Sequence, residues 1–152
     1  MTNETLDAHR VLVKWAVRKT DATILREEEQ WLEVPALSAV WMDKVELPQI
    51  DCFNEYVSYE AWENDQIISQ GTVIFSYPKY FHYLNPGLAV RVDGDEIVVK
   101  AEAYAKSVEI RNENDDLILE DNYFDMNAGE RKIRILKGTP EGLKIRSVYN
   151  IR

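Results

Sequence analysis

DNYFDMNAGERKIRIL, Asp121 to Leu136, joins two aromatics, a polar turn and an alternating strand in one run. Tyr123 and Phe124 stand between carboxylates, so both rings are expected to pack while Asp121 and Asp125 stay in water. Asn127 and Gly129 are turn formers that tolerate positive φ. Ile133 and Ile135 alternate with Lys132 and Arg134, the period of a half-buried strand. Taken alone, the stretch reads as β-sheet.

The same pattern extends in both directions. Downstream, Gly138 to Gly142 makes a turn, and Leu143, Ile145 and Tyr149 predict a final strand. Upstream, Leu88, Val90 and Val92 alternate up to Asp93-Gly94, a strong hairpin signal. Ile97, Val99, Ala101 and Ala103 return, Val108 and Ile110 start another strand, and Leu117 to Leu119 is a short edge. In the first half, Val11, Val13, Trp15 and Val17 share one face, followed by an extended Ile24 to Leu32. Leu37 to Leu47 reads as a strand closed by Pro48. Tyr56 to Trp62 alternates, Asn64-Asp65 is a turn, and Ile67 to Tyr77 returns with Gly71 as a candidate bulge. No run of ~10 residues has a helical period. Short strands with frequent turns predict an all-β chain of two tandem immunoglobulin-like β-sandwiches, residues 1–83 and 84–152.

The chain has 152 residues, 45% hydrophobic and 11% aromatic, ample for packed cores. Its net charge of −9 argues against nucleic acid or an anionic membrane as the main partner. Residues 1–83 hold 7 basic and 14 acidic side chains, and residues 84–152 hold 11 and 13, so the halves differ electrostatically. Cys52 is the only cysteine, which excludes an intrachain disulfide and reads as a small buried hydrophobe. Met1 to Arg10 has no apolar signal core and no run reaches the ~20 residues of a membrane helix, giving a cytoplasmic expectation. Asn3-Glu4-Thr5 is formally a glycosylation sequon, more simply a chance match.

Motifs for chemistry are sparse. Paired carboxylates do the work of glycosidases, but Glu27-Glu28-Glu29, Asp115-Asp116, Asp121 and Asp125 show no acid and nucleophile pattern and read as solvated faces. Asp93-Gly94-Asp95-Glu96 lacks calcium-loop spacing. His9 and His82 do not make a metal set. A Cys52–His82 pairing lacks a third group. No cofactor is expected. Sugars stack on exposed rings through their C–H faces. Trp15, Trp31, Trp41 and Trp62 lie on predicted strands and are expected in cores. The aromatic join, Tyr77, Tyr80, Phe81, His82 and Tyr83, is a candidate domain interface or sugar contact. It is too aromatic for a loose linker, so the two sandwiches are expected to pack together.

Three places carry a family resemblance: Tyr77-Pro78-Lys79-Tyr80, Val108 to Ile110, and DNYFDMNAGE at Asp121 to Glu130. Together with the opening Asn3-Glu4-Thr5-Leu6 before a Val- and Trp-bearing strand, they resemble the C-terminal Ig-like domains of β-mannosidases of glycoside hydrolase family 2. The Glu27 to Glu29 run and the Trp-rich first strands depart from it. The resemblance implies retaining hydrolysis of terminal β-mannosides by a (β/α)8 barrel outside this chain, since such a barrel needs about 250 residues. No catalytic residue is therefore carried over. The implied role is a non-catalytic C-terminal accessory region bracing the barrel, its expected partner, with mannose-containing glycans as a further partner; Met1 would then be an added start. The alternatives are an autonomous carbohydrate-binding module and a cell-surface adhesion repeat.

Overall fold

The computed structural model describes residues 1–47 and 49–151. Thirteen strands form among them: β1 (Thr2–Asn3), β2 (His9–Lys19), β3 (Ile24–Val34), β4 (Ser38–Ala39), β5 (Glu55–Glu63), β6 (Gln66–Ile74), β7 (Ala89–Asp93), β8 (Glu96–Ala101), β9 (Ala105–Arg111), β10 (Ile118–Leu119), β11 (Phe124–Met126), β12 (Gly129–Lys137) and β13 (Lys144–Arg146). The helical elements among the described residues are two 3₁₀ turns, Pro78–Tyr80 and Val148–Ile151. Among these residues no helix is long and apolar enough to cross a membrane.

The first unit is built on an antiparallel sheet in the order β3-β2-β5-β6. Alternation on β2 puts Val11 and Val13 on one face, where they join Leu32, Val34 and Ala61 in a buried cluster. Trp15 and Val17 follow on that face and are also buried. The opposite face carries the cross-strand row Glu29, Lys14, Glu60 and Gln70, then Glu27, Ala16, Ser58 and Thr72, then Arg18, Tyr56 and Ile74. The second layer is thin. It consists of the β1-β4 ribbon and an irregular segment that packs Val40 and Met42 on the core.

The predicted strand over Leu37 to Leu47 is thus replaced by a two-residue strand. Leu37 takes φ +50, so extended pairing starts only at Ser38, and it covers two residues against β1. Pro48, expected to close it, lies outside the described residues. The tryptophans also correct the expectation. Trp15 is 6% exposed, but Trp31 is 52% and Trp41 92% exposed, and Trp62 is intermediate. Trp31 lies on edge strand β3, opposite Leu12 and away from the core face, with the Arg10 guanidinium 4.3 Å above its ring. Gly71 is not the bulge. The register shifts at Ala61/Trp62, and Gly71 pairs with Tyr59. Cys52 is half-buried rather than buried. The Asn3 amide nitrogen donates to Asp7, Val34 and Pro35 carbonyls, so a glycan there would displace three bonds.

The second unit is a fuller sandwich. Sheet β10-β12-β8-β7 faces sheet β11-β9-β13 across a core of Ile97, Val99, Val108, Ile110, Phe124 and Ile133. The β7-β8 hairpin pairs Asp93 with Glu96, so Gly94-Asp95 form its turn, and Gly94 takes φ +65. Phe124 packs as expected, 7% exposed, but Tyr123 points outward, 64% exposed, with φ +62. Tyr123 stands just before β11, where its left-handed backbone breaks the regular two-residue alternation. Asp125, expected in water, is largely covered, with a side chain only 14% exposed. Tyr149 lies in the terminal 3₁₀ turn, not in a strand.

Candidate functional site

The aromatic join divides by direction. Tyr77 and Tyr80 point outward as an edge-to-face pair, centroids 6.4 Å apart, with the Lys79 ammonium 4.7 Å from the Tyr80 ring. His82 is exposed, stacked on Phe53 at 6.0 Å, and its Nδ1 is 2.9 Å from Asn54 Oδ1. Phe81 and Tyr83 turn inward and are buried in a cluster with Tyr56 and Tyr104. The five candidates therefore do not form one platform.

That buried cluster joins the two units. Tyr56 of β5 and Tyr104, just before β9, stack at 3.9 Å and 15°. Their hydroxyls enter a polar ring around the stack. Tyr56 donates to Asn127 Oδ1 at 2.7 Å. Thr72 Oγ1 donates to Asp125 Oδ2 at 2.5 Å, and Thr72 has one proton to give, so Tyr104 must donate to Thr72, at 2.6 Å. Asp125 is fixed further by Lys106 Nζ at 2.9 Å and by the Ser107 backbone N–H at 2.8 Å. Tyr104 N–H donates to the Thr20 carbonyl. Burial pushes both tyrosine hydroxyls well above the ordinary phenol range, with the Asp125 charge raising Tyr104 further. Both stay neutral donors at physiological pH.

Beside this seam, an open cleft of about 600 Å³ runs between β6 and β11. Its walls include Tyr59, Gln70, Lys106, Tyr123, Asp125 and Arg131. Tyr59 reaches it because Gly71 has no side chain: a Cβ there would lie 2.7 Å from the Tyr59 hydroxyl. Tyr123 donates to Glu109 Oε1 at 3.1 Å, and Arg146 holds the same carboxylate. The Arg146 bond keeps the Glu109 carboxyl below its usual range. Arg131 pairs with Asp121 at 2.5 Å and lies 4.2 Å from the centre of the Phe124 ring. That Tyr59 and the outward Tyr123 line one cleft was not legible, because they come from different units.

A second polar constellation lies at the start of β2. His9 sits between Thr5 Oγ1, 2.8 Å from Nε2, and Glu63 Oε1, 2.6 Å from Nδ1. Its order resembles a nucleophile, base and acid. However, Thr5 Oγ1 also lies 2.8 Å from Asn3 Oδ1, and the Thr5 N–H is bonded to the same oxygen. These bonds clasp the N-terminal segment to the sheet, and leave the hydroxyl already engaged and the N–H unfree to hold an oxyanion. Among the described residues no group of acids, histidines and cysteine is placed to hold a metal ion.

Comparison with known proteins gives a consistent placement. Residues 1–80 match the model of the mannosidase Ig/CBM-like domain, and residues 83–151 match that of an Ig-fold domain. No match is found among curated proteins. Among solved structures, a β-D-mannosidase from Dictyoglomus thermophilum aligns over 94% of this chain and 19% of its own, with 19% identity and a TM-score of 0.71. The exo-chitosanase CsxA of Amycolatopsis orientalis aligns over 97% and 24%, with 10% identity and a TM-score of 0.67. The chain spans about a fifth to a quarter of the length of these proteins, and at such identities the likeness is one of fold. Both units are thus Ig-like, and the chain belongs to the mannosidase Ig/CBM-like domain family through its first 80 residues, followed by an Ig-fold domain.

Proposed function

We propose that this chain is a non-catalytic accessory region of a β-mannosidase-like glycoside hydrolase of family 2, with its two domains divided between residues 83 and 84. The parent enzyme would cleave terminal β-mannosides with retention, and this region would brace its catalytic barrel. The match of residues 1–80 to a mannosidase-type domain carries this reading. Two features agree with it. A brace must be stiff, and the Tyr56–Tyr104 stack with its polar ring couples the two units directly. A brace must also dock, and Val73, Phe75, Tyr77 and Tyr80 leave apolar and aromatic surface exposed along β6 and the join.

The test is complementation. The catalytic portion of the parent enzyme is expressed with and without this chain, and the half-life of β-mannosidase activity is followed at rising temperature. The expected result is a longer half-life with the chain present and no hydrolysis by the chain alone. Equal half-lives, or turnover by the isolated chain, would sink the proposal.

A further inference from the structure

We infer that the cleft between β6 and β11 is a binding site for a neutral pyranoside, with Tyr59 and Tyr123 as stacking faces and Lys106–Asp125 and Arg131–Asp121 as hydroxyl partners. Its volume of about 600 Å³ lies within the range of small-ligand sites.

Both rings are exposed yet held. Tyr59, 38% exposed, lies against Gly71, and Tyr123, 64% exposed, is tied through its hydroxyl to Glu109. An exposed aromatic fixed in place loses little freedom when a ligand covers it, and a pyranose offers C–H faces of matching shape. Tyr123 also adopts φ +62, which is unusual for a bulky residue. The core needs only Phe124; Tyr123 stays exposed at the margin of the cleft, its hydroxyl anchored on Glu109.

The polar lining suits hydroxyls better than an ionic ligand. Lys106 pairs with Asp125 at 2.9 Å and Arg131 with Asp121 at 2.5 Å, so each cation is already matched by an acid. An anionic ligand would have to displace a carboxylate. A vicinal diol instead gives one proton and accepts another, and each Lys/Arg–Asp pair supplies both partners through charge-assisted bonds. Side-chain exposures of 20% for Lys106 and 22% for Arg131 leave them reachable, while Asp125 and the Phe124 ring hold them in position. Gln70, exposed on β6, adds an amide donor and acceptor. The site differs from the outward Tyr77–Tyr80 pair. It goes beyond the accessory role, and either reading can fail alone, since the titration below needs no barrel.

The test uses the whole 152-residue chain, isotope-labelled, titrated with methyl β-mannopyranoside and with mannobiose while backbone amide shifts are followed. Saturable shifts are expected at Gln70 to Thr72, Lys106 to Ser107 and Tyr123 to Asp125. Y123G removes the ring and relaxes the left-handed backbone, and R131M removes a donor. Each should weaken binding by about tenfold or more with the amide spectrum otherwise native. Y77A/Y80A should bind as the parent chain does. The inference is overturned by a flat titration, by shifts centred on Tyr77 and Tyr80, or by Y123G and R131M variants that stay folded and bind unchanged.

Discussion

Tyr123 and Phe124 are adjacent aromatics with opposite fates, and they separate core from surface at the residue scale. Phe124 fills the space between the two sheets of the second unit and supports the Arg131 guanidinium. Phe124→Ala should lower unfolding free energy by about 3–5 kcal/mol, the range for a buried aromatic truncation. Tyr123→Ala should change it by less than about 1 kcal/mol, because the ring is mostly in water. Denaturant titration of both variants checks the contrast, and equal losses would place Tyr123 in the core. The sequence shows that this pair lies in a sheet region, but not which ring turns out. Periodicity assigns faces only while the backbone stays extended, and one residue at positive φ resets the count. Asp125 departs from the expectation for a related reason. A carboxylate between polar neighbours looks solvated until a distant threonine and lysine close over it.

At the element scale, long regular strands were legible and short or irregular ones were not. β2, β5, β8 and β12 each alternate for several residues, and their periods survive folding. The segment after β4 carries apolar residues without a strand, because Val40 and Met42 need only reach the core of a thin layer. Trp31 departs from the core expectation because an edge strand has a solvent face that composition does not reveal, and Trp41 because its segment forms no strand. Turns behave more simply, and two glycines show how close packing adds to conformation. Gly94 takes φ +65 with nothing within 4 Å of an added Cβ, whereas Gly138 takes φ +92 with the Asp116 carbonyl oxygen 2.6 Å away. Gly94→Ala should cost about 1 kcal/mol, for the left-handed backbone alone. Gly138→Ala should cost more, about 2–3 kcal/mol, because a backbone carbonyl must also move. Thermal melts of the two variants give the order directly, and Gly94→Ala as the worse of the pair would contradict it.

At the scale of the whole molecule, the seam decides behaviour. The aromatic join signalled that the units touch. Tyr56 and Tyr104, which complete the contact, stand 48 positions apart in sequence, and no local pattern links them. Because burial raises both phenols above the ordinary tyrosine value of 10.0, the folded chain holds these protons where the unfolded chain releases them. Their contribution is complete below pH ~10 and is lost as pH rises further. Stability should therefore fall above pH ~10, and the phenolate absorbance of these two tyrosines should appear only with unfolding. Phenylalanine at both positions should flatten that alkaline limb; an unchanged limb would show that other groups set it.

The seam also limits how the chain can be divided. The two matched regions meet near residues 80 and 83, beside Phe81 and Tyr83. A cut there would strip Tyr56 from one half and Tyr104 from the other of the ring that shields it. Expressed separately, the halves should bind a hydrophobic dye and self-associate, whereas the intact chain should not. Monodisperse, dye-silent halves would mean that each can close its own wound. Otherwise, what reads as two modules folds as one indivisible piece.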